Sequence, residues 1–221
     1  MTRVLTALLV PLVPLALVVS GCGSLPPVPV PLPVEAPKVD SFADDMRDAR
    51  ELTEAFWTKQ FAKFGWTYHP INDFIAYTGD SGPTCAGHRA VPKNAFYCRK
   101  GHFIAYDHVW MEQLWKEMGD GSVYVIIPHE LGHAVQAQLR ADFRHNIQAE
   151  LQADCYGGAT LASLVNSGAL NVEEGDGREL LLSLEAAGDL SDDWLDPAAH
   201  GTAKQRQRSF AVGYNEGVES C

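Results

Sequence analysis

Residues 124–136 read Tyr-Val-Ile-Ile-Pro-His-Glu-Leu-Gly-His-Ala-Val-Gln, an apolar run that leads into two histidines four positions apart. His129 and His133 therefore fall on one face of a helix, where both imidazoles can bind the same cation. Imidazole nitrogen suits Zn²⁺, and Glu130 is placed to take a proton from water on the metal rather than to bind the metal itself. Gly132 lowers the helix propensity by roughly 1 kcal/mol relative to Ala, which we attribute to close packing against another element.

A catalytic zinc site needs a third protein ligand and keeps a fourth position open. The Gly and His that metzincins place after the motif are absent, because Gln136 and Leu139 stand there. Downstream, Glu150 and Asp154 are four residues apart and share one helix face. We predict that Glu150 is the third ligand and that Asp154 accepts the outer N–H of a metal-binding His. The alternative, with Asp154 as the ligand, stays open.

These segments resemble the bacterial "putative neutral zinc metallopeptidase" family, and the Glu-x-x-x-Asp helix is similar to that of gluzincins. The resemblance rests on five segments in chain order: residues 94–98 (Asn-Ala-Phe-Tyr-Cys), 104–107 (Ile-Ala-Tyr-Asp), 129–136, 150–155 and 200–206 (His-Gly-Thr-Ala-Lys-Gln-Arg). In order, they span most of residues 39–221, and the long stretches between them match only loosely. The resemblance implies a zincin fold with an edge strand over the cleft, zinc as the cofactor and Glu130 as the water-activating group.

Hydrolysis through a tetrahedral intermediate needs a hydrogen-bond donor for the developing oxyanion besides the metal. His200 opens the last shared segment and is our candidate, with capping of the next helix or metal binding as alternative roles. Tyr214 is a second candidate donor, whereas Tyr106 is interpreted as a packing residue. The remaining histidines have no partner at metal-ligand spacing: His69, His88, His102, His108 and His145.

Hydrophobic periodicity predicts an α+β domain with strands early and helices late. Short β-type runs over residues 74–77 and 102–106 suggest a small antiparallel sheet. We expect an extended peptide to add to the sheet edge near residues 102–106. The helical half carries the His-Glu-x-x-His helix, and helical patterns cover residues 41–64, 109–118, 124–140, 148–165, 178–187 and 203–216.

The N-terminal residues have the composition of an export signal. Residues 4–19 are apolar but fall short of the roughly 20 residues that a spanning helix needs, so we predict a signal peptide over residues 1–21. Residues 19–22, Val-Ser-Gly-Cys, resemble a bacterial lipobox, which implies a lipid on Cys22. Ordinary secretion and a transmembrane anchor are the alternatives.

Residues 22–38 are rich in proline that alternates with Val and Leu. This composition favours extended polyproline II structure over a packed core. We therefore predict a spacer over residues 22–38 and a single metallopeptidase domain over residues 39–221.

If Cys22 is lipidated, an even number of cysteines remains in an exported chain, which suggests disulfides. Cys85 and Cys98 bracket one polar loop, and this spacing favours a bond between them. Cys155 and Cys221 then pair by elimination.

The formal net charge of −11 argues against a nucleic-acid partner, because phosphate recognition needs a positive field. The densest basic run, Lys204, Arg206 and Arg208, is interpreted as a solvated helix face. No Gly-rich phosphate loop with a Lys is present, so a nucleotide partner has no support either.

The sequence therefore predicts a membrane-anchored endopeptidase with one zinc ion per chain, on the extracytoplasmic side of the cell membrane. Its partners are peptide or protein substrates in the cell envelope. One alternative is an envelope binding or scaffold lipoprotein stabilised by zinc, with Cys155 or His200 as a fourth ligand. Another is a hydrolase of a non-peptide cell-wall amide, which would use the same residues.

Overall fold

The computed structural model describes residues 41–221, so the predicted signal peptide, Cys22 and the whole Pro-rich spacer lie outside the described residues. The part of the chain that the structure describes is mixed α+β, with six helices and a small sheet, compatible with a zincin-like domain. In chain order the elements are α1 (Phe42–Lys63), β1 (Asp73–Tyr77), β2 (Thr84–Cys85), β3 (His88–Arg89), β4 (Ala95–Cys98), β5 (Phe103–Asp107), α2 (His108–Met118), α3 (Gly121–Leu139), α4 (Asn146–Asn166), α5 (Asp176–Ala186) and α6 (Ala203–Glu216).

The predicted helices are confirmed, and local signals explain where two of them begin. Ser41 precedes α1, and its hydroxyl accepts a hydrogen bond from the Asp44 backbone N–H. Thr202 and Gln205 form a reciprocal capping box at the start of α6. Among residues 41–221, no helix combines the length and the apolar character needed to cross a membrane.

The main sheet has the strand order β1-β5-β4. β4 pairs antiparallel with β5, but β1 pairs parallel with it, so the prediction of an antiparallel sheet was wrong for β1. The physical reason is the long connection between β1 and β5, which brings the chain back to the same end of the sheet before β5 begins. β5 is therefore the central strand. The prediction of a free edge near residues 102–106 was also wrong, because β4 is the edge on that side.

Both predicted disulfides are confirmed. The Cys85–Cys98 bond joins β2 to the end of β4, and the Cys155–Cys221 bond joins α4 to the C-terminus. The sequence segment between Cys85 and Cys98, interpreted as a polar loop, contains the small β2–β3 pair and most of β4.

Helix α3 is buried along most of its length and packs against α1, α4 and α5. At Gly132, a Cβ atom would lie only 3.1 Å from the Ala153 Cα atom in α4, so the predicted close packing is confirmed. Gly158 in α4 and Gly213 in α6 likewise leave no room for a Cβ atom, since each faces the backbone of the other helix. These contacts bring α3, α4 and α6 close enough for their side chains to meet.

Candidate metal centre

Three side chains from α3 and α4 converge on one point. The Nε2 atoms of His129 and His133 are 3.2 Å apart. Each also faces the Glu150 carboxylate, with distances of 3.2 Å from His129 Nε2 and 3.4 Å from His133 Nε2. The two histidines come together because they are one turn apart on α3, and Glu150 reaches them because Gly132 lets α4 approach closely.

This donor set fits zinc. Zinc binds imidazole nitrogen and carboxylate oxygen at about 2.0–2.2 Å, so three ligands in tetrahedral positions lie roughly 3.3 Å from one another. The two Nε2 atoms are 3.2 Å apart, and they lie 3.2 and 3.4 Å from the Oε2 and Oε1 atoms of Glu150, respectively, which is close to that spacing. His129 and Glu150 are buried and His133 is partly buried, so these side chains have little contact with solvent except through the cleft.

The electrostatics of the cluster favour a cation. Burial opposes ionisation of Glu150, but hydrogen bonds from the two imidazoles outweigh it and hold the pKa of Glu150 well below its usual range. Burial also disfavours a charged His129, yet Asp154 and Glu150 together raise the pKa of that imidazole to about 10. The carboxylates therefore stabilise positive charge where the two Nε2 atoms meet.

The outer nitrogen of His129 is held by Asp154. The distance between His129 Nδ1 and Asp154 Oδ1 is 2.8 Å, and Asp154 is fully enclosed. Asp154 thus lies on the side of the imidazole opposite to Nε2, in the position predicted for an acceptor of the outer N–H. Glu150, by contrast, faces Nε2, so the geometry favours Glu150 over Asp154 as a metal ligand.

Arg206 completes this arrangement. Its guanidinium donates from Nε to Asp154 Oδ2 at 2.8 Å and from Nη2 to Asp154 Oδ1 at 2.7 Å. Burial would raise the pKa of Asp154, but the charge and hydrogen bonds of Arg206 outweigh burial and lower it. The interpretation of Arg206 as part of a solvated helix face was wrong: Lys204 and Arg208 are exposed, whereas Arg206 is buried. Arg206 is buried because it pairs with Asp154, which is far away in the sequence.

The second imidazole has its own partner, Gln136. The Gln136 Oε1 atom is 2.9 Å from His133 Nδ1, and Gln136 Nε2 donates to the Ala149 carbonyl oxygen at 2.7 Å. In the sequence, Gln136 stands where metzincins have a glycine, and no role was predicted for its side chain. Its position three residues after His133, on the same helix face, is the signal that could have identified it.

Glu130 lies beside the cluster and against the sheet. Its Oε2 atom accepts a hydrogen bond from the Tyr97 backbone N–H in β4 at 2.8 Å. Burial raises the pKa of Glu130 above its usual range, although the neighbouring histidines act in the opposite direction. A carboxylate with a raised pKa is suited to accept a proton and return it.

A cleft of about 800 Å³ exposes this centre. His129, Glu130, His133 and Glu150 line it, together with β4 and parts of α2 and α5. Trp110, Leu114 and Met118 form an apolar section of the wall, and Lys93 and Arg99 contribute positive charge.

The structure separates the two candidate oxyanion donors. His200 lines the cleft with a half-exposed side chain, and its backbone N–H donates to Asp189 Oδ2 at 2.5 Å. Tyr214 lines a different cavity. Tyr106 is buried against Phe74, with ring centroids 4.9 Å apart, so its interpretation as a packing residue is confirmed. The convergent metal-binding group at this centre contains none of the other histidines: His69, His88, His102, His108 and His145.

Sequence comparison finds relatives that are themselves uncharacterized. The chain is 29% identical over 193 residues to the uncharacterized protein YpfJ of Escherichia coli, a match that covers 75% of this chain and 65% of that protein. It is 29% identical over 170 residues to the uncharacterized protein Rv2575 of Mycobacterium tuberculosis, with 64% and 58% covered. The chain thus spans less than two thirds of the length of these relatives. No solved structure matches the chain.

The model of one protein family, described as "Putative neutral zinc metallopeptidase", matches residues 35–221. That match begins before α1, ends at the last residue and includes every side chain of the candidate centre. The chain therefore belongs to the putative neutral zinc metallopeptidase family.

Proposed function

We propose that this chain is a zinc-dependent endopeptidase with His129, His133 and Glu150 as its metal ligands. The observation that carries the proposal is the convergence of the His129 and His133 Nε2 atoms with the Glu150 carboxylate, at 3.2–3.4 Å from one another, in a cleft that also holds Glu130. When bound, zinc supplies a Lewis acid that polarises a peptide carbonyl and lowers the pKa of water.

The other steps of the proposed reaction are assigned to side chains around the cleft. Glu130 takes the proton of the attacking water and returns it to the leaving amine, for which its raised pKa is suited. Asp154, fixed by Arg206, keeps the His129 proton on Nδ1, and Gln136 does the same for His133. Both Nε2 atoms thereby stay available to a metal. His200, in the same cleft, is our candidate donor to the developing oxyanion.

The substrate lies along β4 in this proposal. The Tyr97 N–H points away from β5 toward Glu130, so the unpaired side of β4 faces the cleft. An extended peptide can pair with this side of β4 through backbone groups other than the Tyr97 N–H, which Glu130 already uses, and such pairing brings an internal peptide bond next to Glu130. This edge replaces the one predicted near residues 102–106.

A closed structural zinc site is less well supported. Structural sites use four protein ligands. Within residues 41–221, the Cys155 sulfur is bonded to Cys221, and His200 is not part of the convergent group formed by His129, His133 and Glu150. Hydrolysis of a non-peptide cell-wall amide would use the same residues as peptide hydrolysis, so purified peptidoglycan belongs in the same assay.

We further propose that the chain is exported and carries a lipid on Cys22, which places the cleft on the extracytoplasmic side of the membrane. Two disulfides support an oxidising compartment, since such bonds persist outside the cytoplasm. The partners would then be peptides or proteins of the cell envelope. Incorporation of an alkyne-labelled fatty acid, lost in Cys22→Ser, tests the anchor. Equal labelling of both proteins would contradict it.

The decisive experiment compares Glu130→Gln with Glu150→Gln in the full chain. A quenched-peptide library reports cleavage and elemental analysis reports zinc. We expect one zinc per wild-type chain, no cleavage but retained zinc in Glu130→Gln, and loss of zinc in Glu150→Gln. The opposite pattern would overturn the assignment of these two carboxylates. A wild-type protein with zinc and no cleavage of peptides or peptidoglycan would support the scaffold alternative.

A further inference from the structure

The charge of the cleft differs in sign from the charge of the molecule. The whole chain carries a formal net charge of −11. Among the residues that line the cleft, however, the carboxylates are Glu130 and Glu150, both buried at the candidate centre. Lys93 and Arg99 line the outer part and are exposed. The solvent-facing charge of the cleft is therefore positive.

In the part of the chain that the structure describes, neither of these two side chains is paired. Within residues 41–221, the Lys93 ammonium and the Arg99 guanidinium make no hydrogen bond or ion pair. Arg206, the third cation of the cleft, is committed to Asp154. Lys93 and Arg99 are thus available to an anionic ligand.

The two cations stand at opposite ends of the edge strand. Lys93 precedes β4 and Arg99 follows it directly. Lys93 has a positive φ of 56°, which side-chain-bearing residues rarely adopt. Its backbone N–H donates to the Asp107 carboxylate at 3.0 Å, and the Asp107 N–H donates to the Asn94 carbonyl oxygen at 2.8 Å. These bonds hold the backbone of Lys93 in place at the rim of the cleft.

We propose that the cleft selects peptides that carry acidic side chains on both sides of the bond to be cleaved. This inference rests on the proposed function, since it assumes that a peptide pairs with β4. A strand advances about 3.4 Å per residue, and Tyr97 marks the position of Glu130 along β4. One Asp or Glu should therefore lie about two residues from the scissile bond, opposite Arg99, and the other about four residues away, opposite Lys93.

Edge strands also use lysine to prevent pairing with other sheets, and that role would predict no effect on substrate choice. Steady-state cleavage by the full chain separates the two roles. The assay uses peptides of one length with Asp, Asn or Lys at the two positions. It compares wild type with Lys93→Glu and Arg99→Glu. The matched control is Lys100→Glu, which makes the same charge change at an exposed residue beside Arg99 that does not line the cleft.

At each of the two positions, we expect wild-type kcat/KM to be higher with Asp than with Asn by about fivefold, the upper range for one exposed ion pair. Each cleft variant should remove about that much of the preference, whereas Lys100→Glu should retain it. High salt should reduce the preference in wild type, because exposed charges are screened. Equal kcat/KM for Asp, Asn and Lys peptides, or equal loss in Lys100→Glu, would overturn the inference.

Binding to the Glu130→Gln variant distinguishes failure of the inference from failure of the proposed function. Fluorescence anisotropy with the same peptides needs no turnover. Tighter binding of Asp peptides, lost on Lys93→Glu or Arg99→Glu, would uphold the inference even if no peptide were cleaved. Cleavage without any charge preference in rate or binding would uphold the function and reject the inference. Neither cleavage nor binding would reject both.

Discussion

Arg206 and Asp154 form a buried two-bond ion pair directly behind His129, with N–O distances of 2.7 and 2.8 Å. Arg206 Nη1 also donates to the Ala187 carbonyl oxygen at 2.9 Å. The pair therefore connects α6, α4 and the end of α5 to the imidazole on α3.

Replacing Arg206 with Met should lower both stability and metal affinity. The change leaves Asp154 as a buried charge without its partner, which costs about 3–5 kcal/mol of unfolding free energy. Loss of an outer-shell contact also weakens zinc binding by roughly 10- to 100-fold. Denaturant unfolding and zinc titration measure the two effects. Arg208→Met, an exposed position on the same helix, is the control. Equal behaviour of the two variants would show that the buried pair has no such role.

Gln136→Met should weaken zinc binding without a large loss of stability. The variant keeps a side chain of similar length but removes the acceptor for His133 Nδ1, so the imidazole loses its fixed orientation. We expect zinc affinity to fall roughly 10- to 100-fold. Competition with a fluorescent chelator provides the measurement, and Gln60→Met on α1 is the control. Unchanged affinity would mean that α3 alone orients His133.

Asp120, which lies outside the cleft of the candidate metal centre, should make the stability of the fold depend on pH. Burial, together with Asp45 and Asp176, raises the pKa of Asp120 to about 6. A carboxyl group with a raised folded-state pKa contributes stability at low pH that is lost as the pH rises through the folded-state value. Asp120→Asn should therefore be more stable than wild type above pH 6, and the advantage should shrink between about pH 6 and pH 4. Denaturant unfolding across this range, with exposed Asp80→Asn as the control, tests the sign. An Asp120→Asn protein less stable than wild type at pH 7 would contradict it.

The two disulfides should contribute unequally to stability. Cys155–Cys221 spans 66 residues and Cys85–Cys98 spans 13. In the chain-entropy model these closures correspond to about 4 and about 3 kcal/mol. Paired Cys→Ser variants, compared by denaturant unfolding, should therefore rank in this order. A reversed ranking would mean that native-state contacts outweigh chain entropy.

The helices could be predicted because the sequence signals that form them lie within each helix and at its ends. α1 and α6 carry both hydrophobic periodicity and capping residues within their own segments, and their bounds follow from them. His129 and His133 meet for the same reason, since one helical turn separates them. Glu150 could be placed beside them only through the resemblance and the requirement for a third ligand.

The sheet and the outer partners depend on distant contacts. β4 is only four residues long, and whether β1 runs parallel to β5 is decided by a connection that periodicity does not describe. Arg206 resembles its exposed neighbours in sequence. Only the close approach of α6 to α4, which Gly158 and Gly213 permit, reveals that it is buried against Asp154.

The hydrogen bond between Glu130 and Tyr97 belongs to the main chain of β4, not to the tyrosine side chain. Any amino acid except proline supplies the same N–H group. The contact between Glu130 and β4 therefore does not depend on which side chain stands at position 97. A comparison of sequences does not reveal this contact, because the backbone and not a side chain of β4 makes it.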